Sequence, residues 1–161
     1  MTGSGSSGGA DVARAVSKVL NQRTSFTKTL GESDVYLFAG ITGDLHPNHV
    51  DEAYMSTTAY GRRIAHGALL IGFMSAASTL MTQRIAVAPP HALVSYGYDR
   101  IRFVRPAYIG DTLTIDYLVD RVDEHEGKTF ASVTVTNQRH DVVCVATHIL
   151  KVVAGTAAAS R

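Results

Sequence analysis

"GALLIGFMSAASTLM", residues 67–81, is the stretch on which the fold turns. It belongs to a longer segment, Ile64 to Gln83, that contains no Asp, Glu, Lys or Arg. A helix apolar almost all the way round must be surrounded by protein or lipid. The segment barely reaches the ~20 residues that a membrane span needs, and His66, Gln83 and several Ser and Thr interrupt it. The segment is expected to be a buried helix in a domain with no membrane partner.

The rest of the chain supplies what could surround it. "HALVSYGYDRIRFVRPAYIG" contains a long strand broken near Pro106. "DTLTIDYLVD" places Leu113, Ile115, Tyr117 and Val119 on one face and Thr112, Thr114, Asp116 and Asp120 mostly on the other. "TFASVTVTNQ" and "DVVCVATHILKVV" complete the set, with turns at 124–128 and around Arg139–Asp141. Upstream, "TSFTKTL" (24–30) reads as a strand. "GESDVYLFAGITG" reads as a short helix with Ser33 as N-cap and Gly43 as stop, and residues 51–61 as another. "APPH" (88–91) closes the apolar helix. The expected fold class is α+β, a long antiparallel sheet wrapped around one central helix. Such a sheet leaves an edge open, and open edges invite pairing. A homodimer, or a dimer of dimers, is the expected assembly.

Composition narrows the function. The 161 residues suit one domain and are too few for separate dinucleotide and substrate domains. Net charge is +1 and the basic residues are scattered, which argues against nucleic acid as a partner. A single cysteine, Cys144, excludes an internal disulfide and a cysteine-based zinc site; in its alternating strand it reads as a small buried hydrophobe. This usage fits a reducing compartment, the cytoplasm. Residues 1–23 are expected to be a flexible Gly/Ser-rich leader with a short helix in "DVARAVSKVLNQR". The leader lacks the basic and apolar regions of a signal peptide. Residues 24–153 form the domain, and 154–161 a flexible tail.

The densest polar chemistry stands just before the apolar helix, in "GITGDLHPNHVDEAY" (40–54). Asp44 has two readings on spacing alone, a turn cap or an acid–base group. His46 and His49 with Asp44 have the composition of a three-ligand metal site, but Pro47 disfavours the helix that normally presents such a pair. No metal is expected. Ser75 lacks the flanking glycines of a nucleophile elbow. Arg100, Arg102 and Arg105 are compatible with phosphate contacts or with solvated strand faces.

Three segments together, "FAGITGDLHPNHVD", "IAHGALLIGFMS" and "RFVRPAYIGDTL", resemble the MaoC-like (R)-specific enoyl-CoA hydratases over roughly residues 24–153. The resemblance implies the hot-dog fold. It also implies reversible hydration of a trans-2-enoyl thioester, carried on coenzyme A or acyl carrier protein, with no metal or other cofactor. It places the water-holding pair on Asp44 and His49, and the oxyanion donor on the Gly67 N–H. Ser75, His66 and the three arginines become candidate substrate contacts, with His66 read otherwise as a brace at the helix entry. One position departs from the family's G-D-x-N-P: His46 replaces the Asn, either shaping the loop or adding a titrating group.

The physical chemistry agrees with this assignment. A carboxylate and an imidazole holding one water can deprotonate it as the C–O bond forms, help worth ~10²- to 10⁴-fold. The thioester oxygen gathers charge, and an N–H at a helix N-terminus is a preorganised donor for it. Glycine at 67 lets the thioester approach closely, and Pro47 holds His46 extended. Two alternatives stand beside the hydratase, an acyl-CoA thioesterase and a non-catalytic acyl-binding or dimerisation subunit.

Overall fold

The computed structural model describes residues 6–153; the first five residues of the expected leader and the expected tail, 154–161, lie outside it. Helix α1 (Ser6–Ser17) leads into β1 (Arg23–Thr29), three helices α2 (Glu32–Thr42), α3 (Pro47–Val50) and α4 (Glu52–Ser56), and then α5 (Gly67–Thr82). Four strands follow: β2 (Ala92–Phe103), β3 (Thr112–Asp123), β4 (Lys128–Thr136) and β5 (Val142–Val153). They join β1 in one antiparallel sheet of order β1-β3-β4-β5-β2.

Period-two alternation decides the faces. Leu113, Ile115, Tyr117 and Val119 of β3 are completely buried. They lie beside Val135, Val133 and Ala131 of β4, which in turn pair with Cys144, Ala146 and His148 of β5. Each fully buried aliphatic side chain here is worth about 1.5–3 kcal/mol. On the opposite face, paired threonines Thr27–Thr114 and Thr29–Thr112 exchange hydroxyl bonds. Gly127 (φ 61) closes the β3–β4 turn, where a side chain would be strained.

Three local expectations need correction. Helix α1 starts at Ser6 and ends at Ser17 instead of running to Arg23. The chain leaves it because Asn21 N–H reaches Val119 O (2.8 Å) and Gln22 O accepts from Val119 N–H (3.0 Å), so β3 claims those residues. Helix α2 is capped at Gly31, not Ser33, since the Asp34 carboxylate accepts the Gly31 N–H at 2.8 Å and also pairs with Lys28. Residues 57–61 turn instead of prolonging α4.

Helix α5 packs against the inner face of the sheet. Leu69, Leu70, Phe73, Met74, Ala77, Ser78 and Met81 face the sheet and are buried. Ala68, Gly72, Ser75 and Thr79 form a stripe open to solvent, so one chain does not surround the helix as expected. A sheet folded about one side of a helix reaches only that side. No helix among the described residues is long and apolar enough to cross a membrane. Edge strand β2 carries bulges between Ser95 and Gly97 and between Asp99 and Arg102, and exposes Val94, Tyr96 and Phe103.

Candidate active site

Helix α2 stops at Gly43, whose left-handed φ of 77° turns the chain at the residue before Asp44. The exposed Asp44 carboxylate accepts the His46 N–H (3.4 Å). His46 then caps α3, its Nδ1 accepting from Asn48 N–H at 3.2 Å. An asparagine cap would accept the same bond through its side-chain oxygen, so His46 shapes the loop in the place of the family's Asn. Pro47 does not break this helix but begins it, where its missing N–H costs nothing. His46 is extended, with φ −59° and ψ 138°.

The second wall is the segment before α5. Ile64 N–H donates to Asn48 O (3.0 Å) and Ala65 N–H to Ala107 O (2.8 Å). The His49 Nδ1–H donates to the Ile64 carbonyl at 2.8 Å. A carbonyl only accepts, so this bond fixes the tautomer and leaves Nε2 with its lone pair. Burial pulls the His49 pKa below its ordinary value; the Ile64 bond opposes this, the His66 ring adds to it, Asp44 opposes and His46 adds. The imidazole is thereby kept neutral at pH 7, the form a base requires.

His66, 1 % exposed, donates its Nε2–H to the Asp44 backbone carbonyl (2.9 Å) and stacks on His49, with centroids 3.7 Å apart and planes at 27°. Polar atoms of Asp44, His49 and His66 lie within 4.8 Å of one another. Two bonds of about 2.8 Å meeting near the tetrahedral angle span roughly 4.6 Å, so the cluster has the dimensions to hold a water. As a metal site it is poorly arranged. Stacked imidazoles send their in-plane lone pairs side by side, and the rings would have to tilt apart to converge on one ion.

A cavity of about 250 Å³ opens beside His49 and runs along Tyr60, Gly67, Leu70, Phe103 and Arg105. His66 is the N-cap of α5: its backbone carbonyl accepts the Leu69 N–H (3.1 Å), and its side chain makes no capping bond to the first-turn N–H groups. A Cβ at Gly67 would lie 2.7 Å from the Phe103 ring. A side chain at 67 would therefore have to push the Phe103 ring aside. Arg105 lines the cavity and donates to Val142 O (3.1 Å). Arg100, held at φ 54° in a bulge, and Arg102 are exposed strand residues that do not line it. Ser75 lies on the open stripe of α5, about 12 Å beyond Gly67 at 1.5 Å per residue, and is not part of the cavity wall. A larger cavity of about 430 Å³ lies between α1 and residues 86–91, and none of the candidate residues lines it. Ile64 and Phe103 escaped the sequence reading: the first acts through a carbonyl that every residue has, the second through a shape that spacing does not reveal.

A family model for the MaoC-like domain matches residues 11–143. The chain belongs to the MaoC-like domain family. Among its MaoC-like relatives, the (R)-specific enoyl-CoA hydratase of Rhodospirillum rubrum is 42 % identical over 93 residues, covering 58 % of this chain and 60 % of the relative. The match thus spans less than two thirds of that relative's length. The (R)-specific enoyl-CoA hydratase of Aeromonas caviae is 31 % identical over 120 residues, covering 74 % of this chain and 83 % of its own. Among solved structures, an unliganded R-hydratase of Pseudomonas aeruginosa superposes with a TM-score of 0.69 at 28 % identity, over 88 % of this chain and 89 % of that one. The α+β hot-dog fold of this MaoC-like chain is the fold of those neighbours.

Proposed function

We propose that this MaoC-like chain is an (R)-specific enoyl-thioester hydratase, working reversibly on acyl groups carried by coenzyme A or acyl carrier protein. The observation that carries the reading is the His49 tautomer. The Ile64 bond leaves its Nε2 free as a base, on a residue that clusters with Asp44 and lines a cavity reaching Gly67 at the start of α5. The names of its relatives in Rhodospirillum rubrum and Aeromonas caviae support the same chemistry and stereochemistry.

Water held between Asp44 and His49 loses one proton to this pair as its oxygen bonds to C3. The C2–C3 π electrons move to the thioester, whose oxygen takes up negative charge facing the Gly67 N–H. As that charge returns, C2 takes a proton from the pair, and one water has been added with no atom left over. The Phe103 and Leu70 side chains form the apolar wall for the enoyl chain, and Arg105 offers a cation at the mouth for a phosphate of the carrier. The open α5 stripe and the free edge of β2 support a homodimer.

Crotonyl-CoA tests the reading. The expected result is loss of enoyl absorbance without free thiol, yielding (R)-3-hydroxybutyryl-CoA, with Asp44→Asn and His49→Ala each at least ~10²-fold slower, as general acid–base removal predicts. Thiol release would identify a thioesterase. Near-normal turnover in a well-folded Asp44→Asn protein would sink the mechanism.

A further inference from the structure

His66 does not reach the cavity. Its ring is 1 % exposed and Nδ1 is sealed in without a partner among the described residues. Yet it touches each part of the candidate machinery. Its Nε2–H holds the Asp44 carbonyl (2.9 Å), its face lies on His49 (3.7 Å), and its backbone caps the helix that starts at Gly67. Phe38 packs against the ring from α2 at 4.9 Å. We infer that His66 is a positioning residue that sets the Asp44 loop, the His49 ring plane and the start of α5 in one register, without touching substrate.

The need for such a residue follows from the bonds around it. Among the described residues the His49 ring is held by one hydrogen bond, to Ile64 O. One bond fixes a nitrogen but leaves the ring free to rock about it, and a flat neighbour at stacking distance removes that freedom. Asp44 is held no better: among the described residues its carboxylate has a single long bond, to His46 N–H at 3.4 Å. The His66 bond is what ties its main chain to the segment before α5. Loosening one imidazole would displace the acid and the base together, and a displacement of about 1 Å in reacting groups costs ~10²-fold in rate.

Two variants separate the two contacts. His66→Phe keeps a flat ring and loses the N–H; His66→Gln keeps an N–H donor and loses the ring. The inference rests on the hydratase reading for its rate effect but not for its geometry, so two readouts are taken on the full chain. With crotonyl-CoA, both variants are expected to lose about 10²-fold in kcat with little change in KM, because the residue is out of substrate reach. Nitrogen-15 NMR of the His49 ring is expected to show a single Nδ1–H tautomer in the wild type and in His66→Phe, which keeps the stacked ring, and tautomer mixing in His66→Gln, which loses it. A kcat within about threefold of wild type in both folded variants would overturn the inference, as would a rise in KM at unchanged kcat, which marks a substrate contact. If the wild type proves inactive on enoyl thioesters, the hydratase reading fails and the NMR decides alone: retained tautomer order in His66→Gln refutes the positioning role, its loss supports it. If His66→Phe does not fold, His66→Gln is read by the same criteria.

Discussion

Lowering the pH from 7 to 5 is expected to remove about 2 kcal/mol of stability through one residue, His148. This imidazole is completely buried on the inner face of β5. Its Nδ1 bonds the Tyr117 hydroxyl and its Nε2 the Ser95 hydroxyl, both at 2.8 Å, and Tyr98 stacks on it at 4.2 Å. With the phenol donating to Nδ1 and Nε2–H donating to Ser95, the neutral ring is fully satisfied. A second ring proton would bring a charge into the core. Burial accordingly lowers its pKa from 6.5 to about 4. Between these values the unfolded chain binds a proton that the folded chain refuses. The stabilising contribution is therefore complete above about pH 6.5 and is lost as pH falls through the folded value. At about 1.36 kcal/mol per pH unit, the loss reaches roughly 2 kcal/mol at pH 5 and about 3.4 kcal/mol below pH 4. The Asp34 and Asp141 carboxyls lie below their ordinary values and stay ionised at pH 5, so they add little there. Urea unfolding at both pH values, on wild type and His148→Asn, isolates the effect. The wild type should lose about 2 kcal/mol more than the variant between pH 7 and pH 5; equal losses would refute the reasoning.

Tyr117→Phe leaves His148 Nδ1 without its partner in the core and is expected to cost about 1–3 kcal/mol, read by urea unfolding at pH 7. Gly67→Val places a branched side chain where the Phe103 ring lies, 2.7 Å from the new Cβ, and forces that ring to shift. Crotonyl-CoA turnover should vanish, and a fully active Gly67→Val protein would contradict the oxyanion assignment. Ser75→Glu puts a carboxylate on the open stripe of α5; light scattering should show a wild-type dimer and a shift towards monomer in the variant, while an unshifted dimer would place the interface elsewhere.

The fold was legible wherever one physical rule dominated. The β3 alternation identified four buried residues because side chains in a strand alternate between faces, and Gly43 marked the α2 end because glycine adopts the left-handed region freely. The rule failed where two groups competed for one role. Ser33 is a good cap by type, yet the Asp34 carboxylate, paired with Lys28, reaches back to Gly31. Apolar composition showed that α5 needs cover but not whether its own chain provides all of it. In the site, Asp44, His49, His66 and Gly67 were readable as side chains and a glycine in a motif, and the structure brings them together. Arg100 and Arg102 were grouped with Arg105 by spacing, but bulges in β2 break the period that spacing assumes.

The crossed bonds of Ile64 and Ala65 have a consequence for how this region opens. The two amides are adjacent in the chain but face opposite neighbours, Asn48 on one side and Ala107 on the other. Detachment of the 44–51 loop exposes the Ile64 amide to exchange and leaves Ala65 protected; detachment of residues 104–110 does the reverse. Only unfolding of the whole unit releases both at one rate. A single pair of neighbouring amides thus distinguishes three kinds of opening in hydrogen exchange, with no ligand required.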